Sequence, residues 1–210
     1  MEWRQGEHVL LIGQTGSGKT ALAKELLPRR AYCLALVAKA DDLNWSSWRT
    51  IRKAEDIAVP RGSGYAYLRL APSVERMEQE FASAFREVWH AGGWTVYIDE
   101  LYYLEDLGCK NLIRQLLTQG RSKAISVVAG CQRPANVTRY AMSEATHILS
   151  GVVGDGRDLD TMRKYIGVDF TERVQRLQWY EFLWYNKRQR SMRVVTRDML
   201  AKEGGRGNGL

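Results

Sequence analysis

The chain has 210 residues, a formal net charge of +7 and 45% hydrophobic residues, which fits one domain with enough apolar material for a sizeable core. No apolar run approaches the length of a membrane span, and Glu2 and Glu7, ahead of a strand expected by residue 8, argue against a signal peptide. Cys33, Cys109 and Cys131 form no Cys-x-x-Cys pair, so neither a disulfide framework nor a zinc site is expected, and a reduced, intracellular setting is.

The apolar run His8–Ile12 reads as a strand. Gly13-Gln14-Thr15-Gly16-Ser17-Gly18-Lys19-Thr20 follows, a complete Gly-x4-Gly-Lys-Thr phosphate-binding loop, and Ala21–Leu27 continues as a helix. Strand, loop and helix in that order are the context the motif needs. Gly13, Gly16 and Gly18 let the backbone turn its N–H groups inward on phosphate oxygens. The helix starting near Lys19 adds the positive end of its dipole. Lys19 can reach the β- and γ-phosphates, and the Thr20 hydroxyl can ligate Mg²⁺. Binding of a nucleoside triphosphate is the expectation.

Further strands are expected at 32–38 and 66–70, with an irregular segment, 39–65, between them. Val74, Met77, Phe81, Phe85 and Val88 recur at helical steps across 73–91. Residues 94–100, Trp-Thr-Val-Tyr-Ile-Asp-Glu, form a strand that ends in two acids, the Walker-B pattern. Asp99 is placed to hold the Mg²⁺ shell. Glu100 is placed to polarise an attacking water, which points to hydrolysis. A helix through Leu112–Leu117 closes near Gly120. The strand 125–130 then runs into Gln132-Arg133-Pro134. If that strand lies between the first strand and the Asp99 strand, Gln132 projects toward the γ-phosphate.

A strand at 147–151 and a helix at 158–166 come next. Trp179–Tyr185 and Ser191–Thr196 read as a hairpin around the basic turn Asn186–Arg190, its aromatics Trp179, Tyr180, Trp184 and Tyr185 packing the core. Gly204–Leu210 reads as a disordered tail. The alternation of strands and helices predicts an α/β fold with a central, mostly parallel sheet. It divides into an ATPase core at 1–177, a basic hairpin and extension at 178–203, and the tail at 204–210.

Charge is unevenly placed. Leu107–Ser143 holds six basic residues and no acid, and Asn186–Leu210 holds seven basic residues against two acids. An acidic partner is favoured. Lys110, Lys123, Lys187, Arg188, Arg190, Arg193 and Arg197 suit sequence-independent contact with nucleic-acid phosphates.

Three blocks, Gly13–Thr20, Val96–Glu100 and Gly120–Pro134, resemble the HerA/FtsK superfamily of DNA-translocating ATPases over roughly residues 8–151. The short chain is similar to the ATPases by which tailless and related viruses pump double-stranded DNA into capsids. The resemblance implies a three-layer RecA-like P-loop NTPase core with the Gln132 strand inserted centrally. It also implies a homo-oligomeric ring, pentamer or hexamer, acting on double-stranded DNA and docking on a capsid vertex or portal protein. Such a motor works in the host cytoplasm or on the virion, without a membrane. ATP and Mg²⁺ would sit at each subunit interface, with Gly13–Thr20 and Asp99 as binding residues and Lys19, Glu100 and Gln132 as catalytic ones. By its position in the Gly-Arg block, Arg121 is the candidate for an arginine reaching in from the neighbour, with Arg114, Arg133 and Arg157 as rivals. Two other readings stand beside this one: a P-loop kinase for a small molecule, and a nucleotide-dependent phage assembly protein.

Overall fold

A computed structural model describes residues 2–38, 43–57 and 64–204. Its elements in chain order are β1 (His8–Ile12), α1 (Lys19–Leu26), β2 (Tyr32–Leu36), β3 (Arg49–Ile51), β4 (Ala66–Leu70), α2 (Met77–Ala91), β5 (Thr95–Ile98), α3 (Leu101–Leu104), α4 (Lys110–Gln119), β6 (Ser126–Cys131), α5 (Arg139–Glu144), β7 (Ala145–Ser150), α6 (Gly156–Tyr165), α7 (Val168–Val174), β8 (Phe182–Asn186), β9 (Ser191–Val195) and α8 (Arg197–Gly204). The described strands form one sheet of order β3-β4-β2-β5-β6-β1-β7-β8-β9. It is parallel from β3 to β7, and β8 and β9 add to the β7 edge in antiparallel register.

Strand side chains alternate between two cores, as a period of two requires. Leu10, Ile12, Val96, Ile98, Val127 and Ala129 face one side, where α2, α4, α5, α6 and α7 supply Phe81, Phe85, Ile113, Leu116, Met142, Met162 and Phe170. Val9, Leu11, Tyr97, Val128 and Leu149 face the other, where α1 and α8 supply Leu22, Leu26 and Leu200. Because helices cover both faces, β1, β5 and β6 are buried along their whole length. The chain is thus a helix–sheet–helix sandwich.

The hairpin expected at the C-terminus forms and extends the central sheet. A buried polar chain ties it to the start of β1: Trp184 Nε1 donates to His147 Nδ1 at 3.2 Å, His147 Nε2 donates to Glu7 Oε2 at 3.2 Å, and Arg188 pairs with Glu7 at 3.3 Å. Asn186 Oδ1 accepts from the main-chain N–H groups of Arg188 and Gln189, closing the turn.

Some expectations need correction. The apolar stripe at 73–91 starts one turn late: Met77, Phe81, Phe85 and Val88 are buried, but Val74 lies in a preceding 3₁₀ turn and is exposed. Trp184 is buried and Tyr185 half-buried, but Trp179 and Tyr180 precede the strand and stand in solvent. β3, α3, α5, α7 and α8 were not expected. Parts of the irregular segment, 39–42 and 58–63, and most of the tail, 205–210, lie outside the described residues. Among the described residues no helix is long and apolar enough to cross a membrane.

One core histidine carries a stability consequence. His8 is buried at the head of β1, beside a register shift against β7, and its Nδ1 accepts from the Val127 main-chain N–H at 3.0 Å. Burial, reinforced by the nearby Arg121 charge and only partly opposed by a hydrogen bond to the Leu117 main chain, lowers its pKa from 6.5 to about 4. The folded state therefore holds a neutral ring that the unfolded chain protonates more readily. The stability this provides is complete above pH 6.5 and is lost as pH falls toward about 4. The loss amounts to at most about 3 kcal/mol. Urea denaturation of wild type and His8→Gln should show the variant less stable near neutrality, with the gap narrowing as pH drops through that window. A gap independent of pH would show that the ring's charge is not involved.

Candidate active site

The phosphate loop leaves β1 and enters α1, as its sequence requires. Gly16 and Gly18 have φ of 78° and 94°, the left-handed region that favours glycine. Lys19 is buried, and its Nζ donates to the carbonyls of Gly13 at 2.7 Å and Gln14 at 3.2 Å. The ammonium is thus held in the concavity of the loop, where phosphate oxygens are the natural competitors for its protons. Burial lowers its pKa, while the Glu100 and Asp99 carboxylates oppose that shift.

Asp99 follows β5. Its Oδ1 accepts from the Thr20 hydroxyl at 3.0 Å and from the Tyr97 hydroxyl. Tyr97 was not singled out by the sequence. It is fully buried, packs on Trp45 at 4.9 Å between ring centroids, and fixes the Asp99 carboxylate from the α1 side of the sheet.

Gln132 arrives from β6, which lies between β1 and β5. Its Oε1 accepts from the Thr15 hydroxyl at 2.8 Å, and its main-chain N–H donates to Glu100 Oε1 at 3.3 Å. One residue therefore touches both the phosphate loop and the acid. Glu100 Oε2 is buried with no hydrogen-bond partner among the described residues. Burial raises the Glu100 pKa, and the Gln132 N–H and Lys19 pull it back only in part. A half-desolvated carboxylate with a free lone pair is suited to take a proton from water.

Gly130 is a second residue that motif reading missed. A Cβ there would lie 2.1 Å from the Asp99 carbonyl oxygen, inside any contact distance. Its only signal in the sequence is a glycine within an otherwise apolar strand.

The arginines are placed differently from one another. Arg133 pairs with Asp155 and with buried Asp158, each at 2.9 Å. Arg114 and Arg139 lie over the Tyr140 ring at 5.9 and 5.2 Å. Arg157 is exposed at the start of α6. Arg121 precedes β6 and packs its backbone against Gly6, which precedes β1, so it sits at the opposite end of the sheet from the phosphate loop. The six residues of β6 put about 20 Å between those ends. Within one chain, Arg121 and the loop are not brought together.

Much of the basic hairpin is engaged internally. Lys187 caps the Met142 and Ser143 carbonyls, Arg188 pairs with Glu7, Arg193 with Glu203 and Arg197 with Glu25.

The residues present fit a nucleoside triphosphate with Mg²⁺. A glycine cradle, a buried ammonium, a Thr–Asp pair and an unpartnered carboxylate oxygen converge on one point. No family model matches the chain. It is 30% identical over 177 residues to the DNA packaging ATPase P9 of Enterobacteria phage PRD1, covering 80% of this chain and 74% of that protein. Its fold is similar to that of the genome packaging NTPase B204 of Sulfolobus turreted icosahedral virus 2 in complex with ATP-γS, with a TM-score of 0.75 at 19% identity, over 92% of this chain and 98% of that one. VirB4 of Thermoanaerobacter pseudethanolicus has the same fold more distantly, with a TM-score of 0.62 at 10% identity over 88% of each chain. The chain belongs to the family of viral DNA-packaging ATPases that includes P9 of phage PRD1.

Proposed function

We propose that this ATPase works as a ring of identical subunits in which each nucleotide site is completed by the neighbour, and that hydrolysis drives double-stranded DNA into a capsid. The observation that carries the site reading is Gln132, bonded at once to Thr15 of the phosphate loop and to Glu100. Lys19 would exchange its loop carbonyls for β- and γ-phosphate oxygens. Thr20 and Asp99 would hold Mg²⁺, which neutralises charge on the phosphates when bound. Glu100 accepts a proton from water as the water oxygen bonds to the γ-phosphorus and the bond to the ADP oxygen breaks. Gln132 orients that water and reports whether the γ-phosphate is present. Arg121 of the adjacent subunit supplies positive charge to the transferring phosphoryl group.

Duplex phosphates would meet the outward cations Lys110, Arg114 and Arg139 rather than the engaged hairpin arginines. Work in the host cytoplasm or on the virion, with docking at a capsid vertex, follows from the same reading. A small-molecule kinase would need an acceptor site and would be indifferent to DNA. Stimulation of ATP turnover by duplex DNA separates the two.

Glu100→Gln should bind ATP about as well as wild type but lose roughly 10²- to 10⁴-fold in turnover. Hydrolysis at the wild-type rate would remove Glu100 as the base.

Arg121→Ala should lose on the order of 10³-fold or more in turnover and still bind ATP. Lys19→Ala should fail to bind it. Mixed, the two inactive proteins should recover measurable turnover, because some interfaces then pair an intact loop with an intact Arg121. Retention of activity by Arg121→Ala alone, or no recovery on mixing, would refute Arg121 as the trans-acting group.

A further inference from the structure

A threonine and an aspartate that meet only each other leave both side chains free to turn. The Asp99 carboxylate can rotate on its own bond, and the Thr20 hydroxyl can aim its hydrogen toward Asp99 or away from it. A cation beside this pair needs one arrangement, with the Thr20 hydrogen given to Asp99 so that the hydroxyl lone pairs remain available. The structure has that arrangement: Thr20 Oγ1 donates to Asp99 Oδ1 at 3.0 Å.

Tyr97 removes the remaining freedom. Residues 97 and 99 lie two apart at the end of β5, so their side chains leave on the same face of the sheet, the one that α1 covers and from which it brings Thr20. The Tyr97 hydroxyl donates to the same Oδ1. Asp99 is thus pinned through one oxygen by two donors, one from β5 and one from α1. The Tyr97 donor is itself held in place. Its ring is fully buried, lies opposite Ala35 of β2 and Val128 of β6 in the sheet register, and packs on Trp45 at 4.9 Å. Trp45 is fully buried too, backed by Trp48 at 4.8 Å and by the Lys24 ammonium 5.9 Å over its ring. A phenylalanine would fill this core space equally well. What the tyrosine adds is its hydroxyl, which when buried has to find an acceptor, and the acceptor it finds is the Asp99 carboxylate.

We propose that Tyr97 is a positioning residue for the metal: by fixing Asp99, and through it the Thr20 hydroxyl, it sets the Mg²⁺ affinity of the nucleotide site rather than the rate of the chemical step. This rests on Thr20 and Asp99 acting as the metal-holding pair. A donated hydrogen bond also draws charge from the carboxylate and weakens its pull on a cation. Orientation outweighs that effect, since outer-shell partners of metal-holding groups typically account for about 10- to 100-fold in metal affinity.

The test is Tyr97→Phe, which keeps the ring on Trp45 and removes only the hydroxyl. Calorimetric titration of Mg²⁺ into protein saturated with the non-hydrolysable analogue AMPPCP should show metal binding weakened roughly 10- to 100-fold. Affinity for AMPPCP in EDTA should match wild type. The Mg²⁺ concentration that gives half-maximal ATP turnover should rise by the same factor, and turnover lost at low Mg²⁺ should return as Mg²⁺ is raised. Unchanged Mg²⁺ affinity in Tyr97→Phe would overturn the proposal. So would an equal loss of AMPPCP affinity in EDTA, because Tyr97 would then be supporting the whole loop, or a fall in turnover that no Mg²⁺ concentration restores. Wild-type protein that held AMPPCP but took up no Mg²⁺ would defeat the Thr20–Asp99 reading itself, and this proposal with it.

Discussion

The close approach of β6 to the end of β5 is the constraint on which the site depends. β6 pairs with β5 through Ser126–Ala129 and with β1 through Val128–Cys131, so it alone can deliver a side chain between the phosphate loop and the acids. Gly130 makes this possible, because any Cβ there would overlap the Asp99 carbonyl. A larger residue would force β5 and β6 apart where Asp99, Glu100 and Gln132 leave the sheet. The clash would cost stability in the middle of the sheet and would also displace groups that need placing to within about half an ångström to act together.

Electrostatics then couples the three strand ends. Lys19 and Glu100 are each driven toward neutrality by burial and each held charged in part by the other. Removing one would leave the other with less to offset its burial: Lys19 would keep Asp99 and the loop carbonyls, and Glu100 the Gln132 N–H. The loop as folded is therefore balanced around an ammonium that already has carbonyl partners. Triphosphate oxygens offer that ammonium stronger, charge-assisted bonds, and replace carbonyls that can turn to other partners. On the proposed reading Lys19 is pre-positioned, which would spare binding free energy the cost of ordering it.

What could be read from the sequence divides by range. Gly13–Thr20 and Asp99-Glu100 are local patterns whose geometry follows from chain chirality and strand direction, and the structure places them as expected. Gln132 was legible only on the condition that its strand lay centrally, and the observed order meets that condition. Tyr97 and Gly130 were not legible, because their roles arise across strand pairs rather than along the chain. The engagement of Arg188 by Glu7 and of Arg197 by Glu25 joins residues far apart in sequence, and that of Arg193 by Glu203 depends on how α8 folds back on the hairpin. Composition showed the excess of cations there but could not show which were already paired. β3, α7 and α8 are short and carry too few apolar positions for a period to emerge. The hairpin aromatics were assigned to the core by alternation, but the strand begins only at Phe182, so alternation does not reach Trp179 or Tyr180.

The same geometry argues that one chain holds an incomplete site. Phosphoryl transfer places negative charge on the equatorial oxygens, and near the γ end this chain offers Lys19 beside two carboxylates. Its nearest arginine in sequence, Arg133, is committed to Asp155 and to Asp158, the latter almost fully buried. Freeing Arg133 would leave the buried Asp158 carboxylate with the Ala135 main-chain N–H and no cation, which is unfavourable. A further cation is therefore best supplied from outside the chain. Arg121 stands at the far end of the sheet, out of reach of its own loop, and the proposed assignment to a neighbour's site starts from that placement. Head-to-tail, heterologous contacts close into rings when the rotation allows. In the ring proposed above, hydrolysis at each site would be conditional on the placement of the next subunit, which is the coupling a translocating motor needs.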